Sequence, residues 1–153
     1  MDYDVTLTEL AAQPAAVVHG EVERGTIGPF IGQALEKVTT ALSHSGTFPV
    51  GPPFARYDML GDRFAIDAGF PCGAPSLDGD GDGVRMITLP GGLAATTTHA
   101  GPFDQVGGAY RALERWMRDN GYEPAGGPWE TYLDGPDAAR PRTVITWPCE
   151  GRG

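Results

Sequence analysis

The chain repeats itself, and that repetition limits its fold more than any other feature. Gly28-Pro29-Phe30 opens one helical stretch and Gly101-Pro102-Phe103 opens another. Gly46 closes the first and Gly121 the second. Pro53-Phe54-Ala55-Arg56-Tyr57 then aligns with Pro128-Trp129-Glu130-Thr131-Tyr132. The offset is 73 residues at the helix starts (Gly28 to Gly101) and 75 from the helix ends onward (Gly46 to Gly121, Pro53 to Pro128). Such self-similarity marks a repeated supersecondary unit. The order strand, helix, hairpin occurs twice. It predicts an α+β fold of tandem duplicated βαββ modules, forming an antiparallel sheet with two helices packed on one side. A ligand cleft is expected at the pseudo-twofold axis, where enclosure is easiest. We expect one domain over residues 1–153, made of pseudo-repeats at about 1–80 and 81–150.

Composition narrows the functional classes. With 153 residues and 41% hydrophobic content, the chain has enough apolar surface for a sizeable core. Its 23 Gly and 14 Pro punctuate apolar runs, so they predict turns, not disorder. Eleven Lys and Arg stand against 20 Asp and Glu, a net charge of -9. Nucleic-acid binding needs a basic patch, and this balance argues against it. No apolar run reaches the length of a membrane span. The early acids Asp2, Asp4 and Glu9 precede no cleavage-like site, so we expect no signal peptide and a cytoplasmic protein. Cys72 and Cys149 form no CxxC pair. Two unpaired structural cysteines are the simpler reading, with a disulfide the alternative.

Periodicity supplies the elements. Val5–Leu10 alternates and reads as a strand, and Ala15–Gly20 as a second. Thr26 caps a helix whose stripe is Ile27, Phe30, Ile31, Ala34, Leu35, Val38 and Leu42. Phe54–Met59 and Arg63–Phe70 flank Gly61-Asp62 as a hairpin. Val84–Leu89 is a strand that Pro90-Gly91-Gly92 turns back into Leu93–His99. The second helix carries Phe103, Val106, Ala109, Tyr110, Leu113, Trp116 and Met117 on one face, with Gly107-Gly108 weakening it. Trp129–Leu133 and Thr143–Trp147 follow as strands, with a frayed tail from Glu150.

The candidate site rests on Glu130. Alternation puts Glu130 and Tyr132 on one face and Trp129, Thr131 and Leu133 on the other. The repeat matches Trp129 with Phe54 as helix-facing core. It matches Tyr132 with Tyr57, both expected to point away from the helices into the cleft. Glu130 matches Ala55. An acid that only one half carries favours a specific role over an architectural one. Arg56 falls on the Phe54 face and needs either a sheet edge or an acid partner. Tyr110, Trp116 and Phe30 read as core.

Five pieces of the chain together resemble a known family. They are Gly51–Tyr57, Asp67–Pro71, Leu89–Gly92, Thr98–Phe103 and Gly127–Leu133, in that order and over nearly the whole length. The chain is similar to the gyrase-inhibitor-like effector-binding domains of AraC-type and multidrug-responsive regulators, which also occur alone. The resemblance implies the duplicated βαββ fold and a hydrophobic cleft with an acidic floor. It implies affinity for bulky, often cationic, aromatic compounds, with Glu130 as the ligand-facing glutamate and Tyr132 as an aromatic wall. Some stand-alone members resemble hydrolases that open strained cyclopropanes of DNA-alkylating natural products. In the Ala68 region, where such proteins often carry an acid, this chain keeps only Asp67.

The leading expectation is a binder of lipophilic cations, with no cofactor and no metal. Glu130 supplies charge, Tyr132, Tyr57 and Met59 supply ring faces and soft surface, and Trp147, Phe64 and His99 are further candidates. The first alternative is a hydrolase with Glu130 as base through a water and Tyr57 or Tyr132 as donor. The second is an inhibitory partner of a topoisomerase. Asp78, Asp80, Asp82 and Gly83 begin like a calcium loop, but Leu89 stands where a bidentate Glu is required. Neither Ser43 nor Ser45 forms a triad with His44, and nothing nearby orients His19.

Overall fold

The computed structural model describes residues 3–73, 83–135 and 137–152, without the side chains of Met59 and Leu60. The Asp78, Asp80 and Asp82 run and the Met59 side chain therefore lie outside the described residues. The fold is α+β, with antiparallel strands and two long helices among the described residues. Neither helix is long and apolar enough to cross a membrane. By contacts the chain forms two units. One is Ala12–Leu89. The other joins the stretch ending at Ala11 to everything from Pro90 onward.

The Ala12–Leu89 unit holds β2 (Gln13–Val22), a 3-10 turn at Arg24–Thr26, α1 (Ile27–His44), β3 (Phe54–Leu60), β4 (Arg63–Pro71) and β5 (Val84–Leu89). Its strands run in the order β3-β4-β2-β5, all antiparallel. The expected hairpin is β3–β4, closed at Leu60↔Arg63 with Gly61 at φ 65°. The α1 stripe buries Ala34, Val38 and Leu42 against this sheet. The helix stops at His44 because Gly46 turns left-handed at φ 72°. Gly46 N–H then donates to the Ser43 carbonyl and Thr47 N–H to Leu42, which satisfies the final turn.

The second unit holds β1 (Thr6–Leu10), β6 (Gly92–Ala100), a 3-10 turn at Phe103–Gln105, α2 (Gly107–Asp119), β7 (Tyr122–Pro124), β8 (Trp129–Tyr132) and β9 (Arg142–Gly151). Strand order is β1-β6-β9-β8, with β7 also on β9. On α2, Ala109, Leu113 and Met117 pack on Ala95, Ile145 and Cys149. Gly107-Gly108 open α2 rather than interrupt it, so their propensity cost falls where helices are weakest. Cys72 and Cys149 are both free and buried, and burial pushes both thiols up in pKa.

Three expectations change. The strand at Val84–Leu89 does not turn back on Gly92–Ala100. It pairs with β2, while β6 pairs with β1 and β9. Strand β1 likewise passes over β2, the next strand in sequence, and pairs with β6. Ala11-Ala12 explains part of this, since a two-residue hairpin wants residues that take positive φ readily. The division by contacts thus differs from a cut near residue 80 by the exchange of one strand each way. The third change is the tail. Glu150 and Gly151 are not frayed, because β7, too short and polar to read from periodicity, pairs with Cys149–Gly151.

Candidate functional site

Register builds the site in rungs on one sheet face. In an antiparallel ladder, residues directly opposite share a face. The first rung is His99, Thr143 and Tyr132; the second is Thr97, Ile145 and Glu130; the third is Ala95 and Trp147. Ala95 and Ile145 belong to the core beneath α2, so this is the helix-covered face.

That placement corrects an expectation. Glu130 and Tyr132 do not point away from the helices. The Tyr110 hydroxyl of α2 donates to Glu130 Oε2 at 2.6 Å, and Tyr132 donates to Oε1 at 3.0 Å. Trp129 is buried, but on the opposite face, opposite Thr146. The Ala12–Leu89 unit shows the same reversal. Tyr57 shares its face with Ile66 and Gly20, and a Cβ added at Gly20 would lie 2.4 Å from the α1 ring of Phe30. Alternation separates two faces but does not say which one a helix covers. Both carry large apolar residues here, since Phe54 and Trp129 are also buried.

Glu130 is only 9% exposed. Burial pushes its carboxyl above the usual range, and the hydrogen bonds from Tyr110 and Tyr132 oppose that rise. Among the described residues no Lys or Arg forms an ion pair with it. Each of its two phenol partners meets a further ring. Tyr110 meets Trp147 edge-on at 5.8 Å, and Phe103 meets Tyr132 edge-on at 5.6 Å. Trp147 is fixed by donating its indole N–H to the Gly126 carbonyl at 3.2 Å.

His99 is buried and engaged at both nitrogens. Nε2 lies 3.0 Å from the Pro102 carbonyl, which only accepts, so that nitrogen carries the proton. Nδ1 then accepts from the Tyr3 hydroxyl at 2.8 Å. Between His99 and Tyr132 stands Thr143, fully buried, with no hydrogen-bond partner for Oγ1 among the described residues. Tyr57 and Phe64 come together in the other unit, edge-on at 6.5 Å. On the opposite face of that unit, His19 bonds Asp67 at 2.8 Å, and Asp67 stands opposite Arg56 in the ladder, which supplies that arginine with an acid neighbour. Among the described residues no group of three or more His, Cys, Asp and Glu could hold a metal.

Sequence reasoning missed Tyr110 and Thr143. The signal for Tyr110 was available: a phenol on an apolar helical stripe needs an acceptor when buried. Removing that hydroxyl should expose what it does. Tyr110→Phe leaves one carboxyl oxygen without its donor, so the Glu130 pKa moves further up. Carbon-detected NMR titration should show that upward move, with a stability loss of about 1–3 kcal/mol at pH 8 by thermal melting. An unmoved pKa would refute the bond's importance.

A family model described as GyrI-like small molecule binding domain matches residues 3–148. Comparison with curated proteins gave no match. Among solved structures, the EcmrR C-terminal domain is similar at 25% identity and TM-score 0.78, with 99% of each chain covered. In the EcmrR–DNA complex, identity is 26% and TM-score 0.74 over 97% of this chain, which spans only 58% of that longer one. SAV2435 bound to tetraphenylphosphonium is similar in fold, at 16% identity and TM-score 0.66, over 99% and 95% of the two chains.

Proposed function

The chain belongs to the GyrI-like small-molecule-binding domain family, and from that premise we propose that it binds bulky aromatic cations over Glu130. One observation carries the reading. A buried carboxylate is held by two phenols, Tyr110 and Tyr132, whose rings meet Trp147 and Phe103 edge-on, and is balanced by no arginine or lysine among the described residues. An unneutralised buried charge is costly, and a positive ligand relieves that cost. The phenols also select the kind of cation. They already occupy one lone-pair site on each carboxyl oxygen, so the group acts mainly through charge. A quaternary ammonium or phosphonium cation has no N–H to satisfy and loses nothing there. The SAV2435 complex supports this class, because tetraphenylphosphonium buries its charge inside four rings. Tyr132 and Trp147 supply the ring faces, each worth about 0.5–2 kcal/mol to a cation.

A direct test compares tetraphenylphosphonium with the neutral triphenylphosphine oxide by calorimetry at pH 8. The cation should bind at least about tenfold more tightly, the equivalent of roughly 1.4 kcal/mol. Equal affinity would remove charge recognition from the reading.

A second reading, hydrolysis, draws on the same geometry. A carboxyl raised in pKa beside two phenol hydroxyls suits a general base with a proton donor. Mass spectrometry of the bound compound separates the two: unchanged compound supports binding, and addition of water supports turnover.

A further inference from the structure

A second aromatic corner in the Ala12–Leu89 unit already carries a cation. Val22, the last residue of β2, stands opposite Phe64 in register. The chain then enters the turn Arg24–Thr26 that leads into α1. From there the Arg24 guanidinium reaches back, its central carbon 5.4 Å from the Phe64 ring centroid. That is within the range over which a ring face attracts a cation. Phe64 in turn meets Tyr57 edge-on at 84°, from the diagonal position across the β3–β4 ladder. Both rings are half-buried, while Arg24 is exposed.

We infer that Arg24 is an internal cation occupying the Phe64 face of a further lipophilic-cation subsite, and that a ligand gains this face only by displacing it. The inference rests on the reading of the chain as a cation binder. An exposed arginine held over a ring gives up side-chain freedom and recovers it on release, so displacement is cheap. It is not free, and the cost falls unequally on ligands. A compact, strongly hydrated ammonium gains little that the guanidinium did not already have. A tetraaryl cation brings charge together with apolar surface, and it outcompetes the arginine on both. Arg24 therefore works as a specificity residue that raises the threshold for small cations.

The test is calorimetric titration of tetraphenylphosphonium into the full chain and five variants, each first confirmed folded by thermal melting. Arg24→Ala should bind about two- to fivefold more tightly than wild type, the range expected for one exposed ring face. Arg63→Gln removes the same charge next to Phe64 without clearing the ring, because Arg63 bonds the Glu21 carbonyl instead. Its affinity should stay within about twofold of wild type. Adding Phe64→Leu to Arg24→Ala should erase the gain. Phe64→Leu alone should bind no more tightly than wild type. An Arg24→Ala affinity equal to or weaker than wild type overturns the inference. So does an equal gain in Arg63→Gln, or a gain that survives Phe64→Leu. The fifth variant, Glu130→Gln, separates this inference from the reading beneath it. Weakened Glu130→Gln binding with no Arg24→Ala gain sinks the Arg24 role alone. An Arg24→Ala gain with Glu130→Gln unchanged sinks the acidic floor alone. No binding by any form sinks both.

Discussion

Glu130→Gln should bind tetraphenylphosphonium about ten- to a hundredfold more weakly than wild type at pH 8. The amide keeps the size of the side chain and one oxygen acceptor for a phenol. What it loses is the charge, and a unit charge a few ångströms from a cation is worth about 1–3 kcal/mol at the effective dielectric of such sites. The pH dependence gives the sharper test. Burial raises the Glu130 pKa, so at low pH the carboxyl is neutral and wild type resembles the amide. Wild-type affinity should climb as pH rises through that raised pKa, and Glu130→Gln should stay flat. The curves should meet at the acid end. Stability runs the other way. With the folded pKa raised, the native state holds the proton more tightly than the unfolded chain does. The stability this confers is complete below the unfolded value and is lost as pH rises through the folded one. The amide escapes that loss, so melting temperatures of the two proteins should diverge in its favour toward pH 8. Parallel binding curves would refute a titrating floor.

Gly69→Ala should destabilise the protein by about 3 kcal/mol or more, lowering the melting temperature by roughly 6–12 °C. A Cβ built at Gly69 falls 1.8 Å from the Ala16 carbonyl oxygen and 2.8 Å from the Val17 Cα. Both are backbone atoms of β2, paired to β4 along eight positions, so neither moves without disturbing the ladder. Gly32→Ala provides the opposite control. Gly32 lies within α1 with nothing within 4 Å of an added Cβ, and alanine there should stabilise by about 1 kcal/mol. If Gly69→Ala melts like wild type, the close approach of β2 and β4 is not what the glycine serves.

Much of the architecture was legible because it rests on local rules. The α1 stripe, the Gly46 and Gly121 terminators and the β3–β4 hairpin all follow from spacing and turn chemistry within about 20 residues. Pairing across greater distance was not legible. Nothing in Val84–Leu89 itself says that it prefers β2 to the strand after it. Strand β7 was missed because three residues carry no period. At the site, the sequence singled out Glu130 and Tyr132 and placed them on one face, as found. It assigned that face to the wrong side, because covering is a tertiary fact. The same error hid Tyr110, which read as core while its hydroxyl reached the acid.

The strand exchange has a consequence for synthesis. Thr6 pairs with Thr96, and the Tyr3 hydroxyl finds His99, so β1 emerges about 90 residues before its neighbour exists. The three ladders within the Ala12–Leu89 unit need nothing made later than Leu89, and they can close while the chain is still growing. Strand β1 must wait beside them with an unpaired edge. Contacts this distant in sequence slow the final step of folding. The Glu130 site belongs to that last step, since β9 completes it. The proposed ligand site is therefore assembled last, and a nascent chain should bind tetraphenylphosphonium only once its early strand has been retrieved.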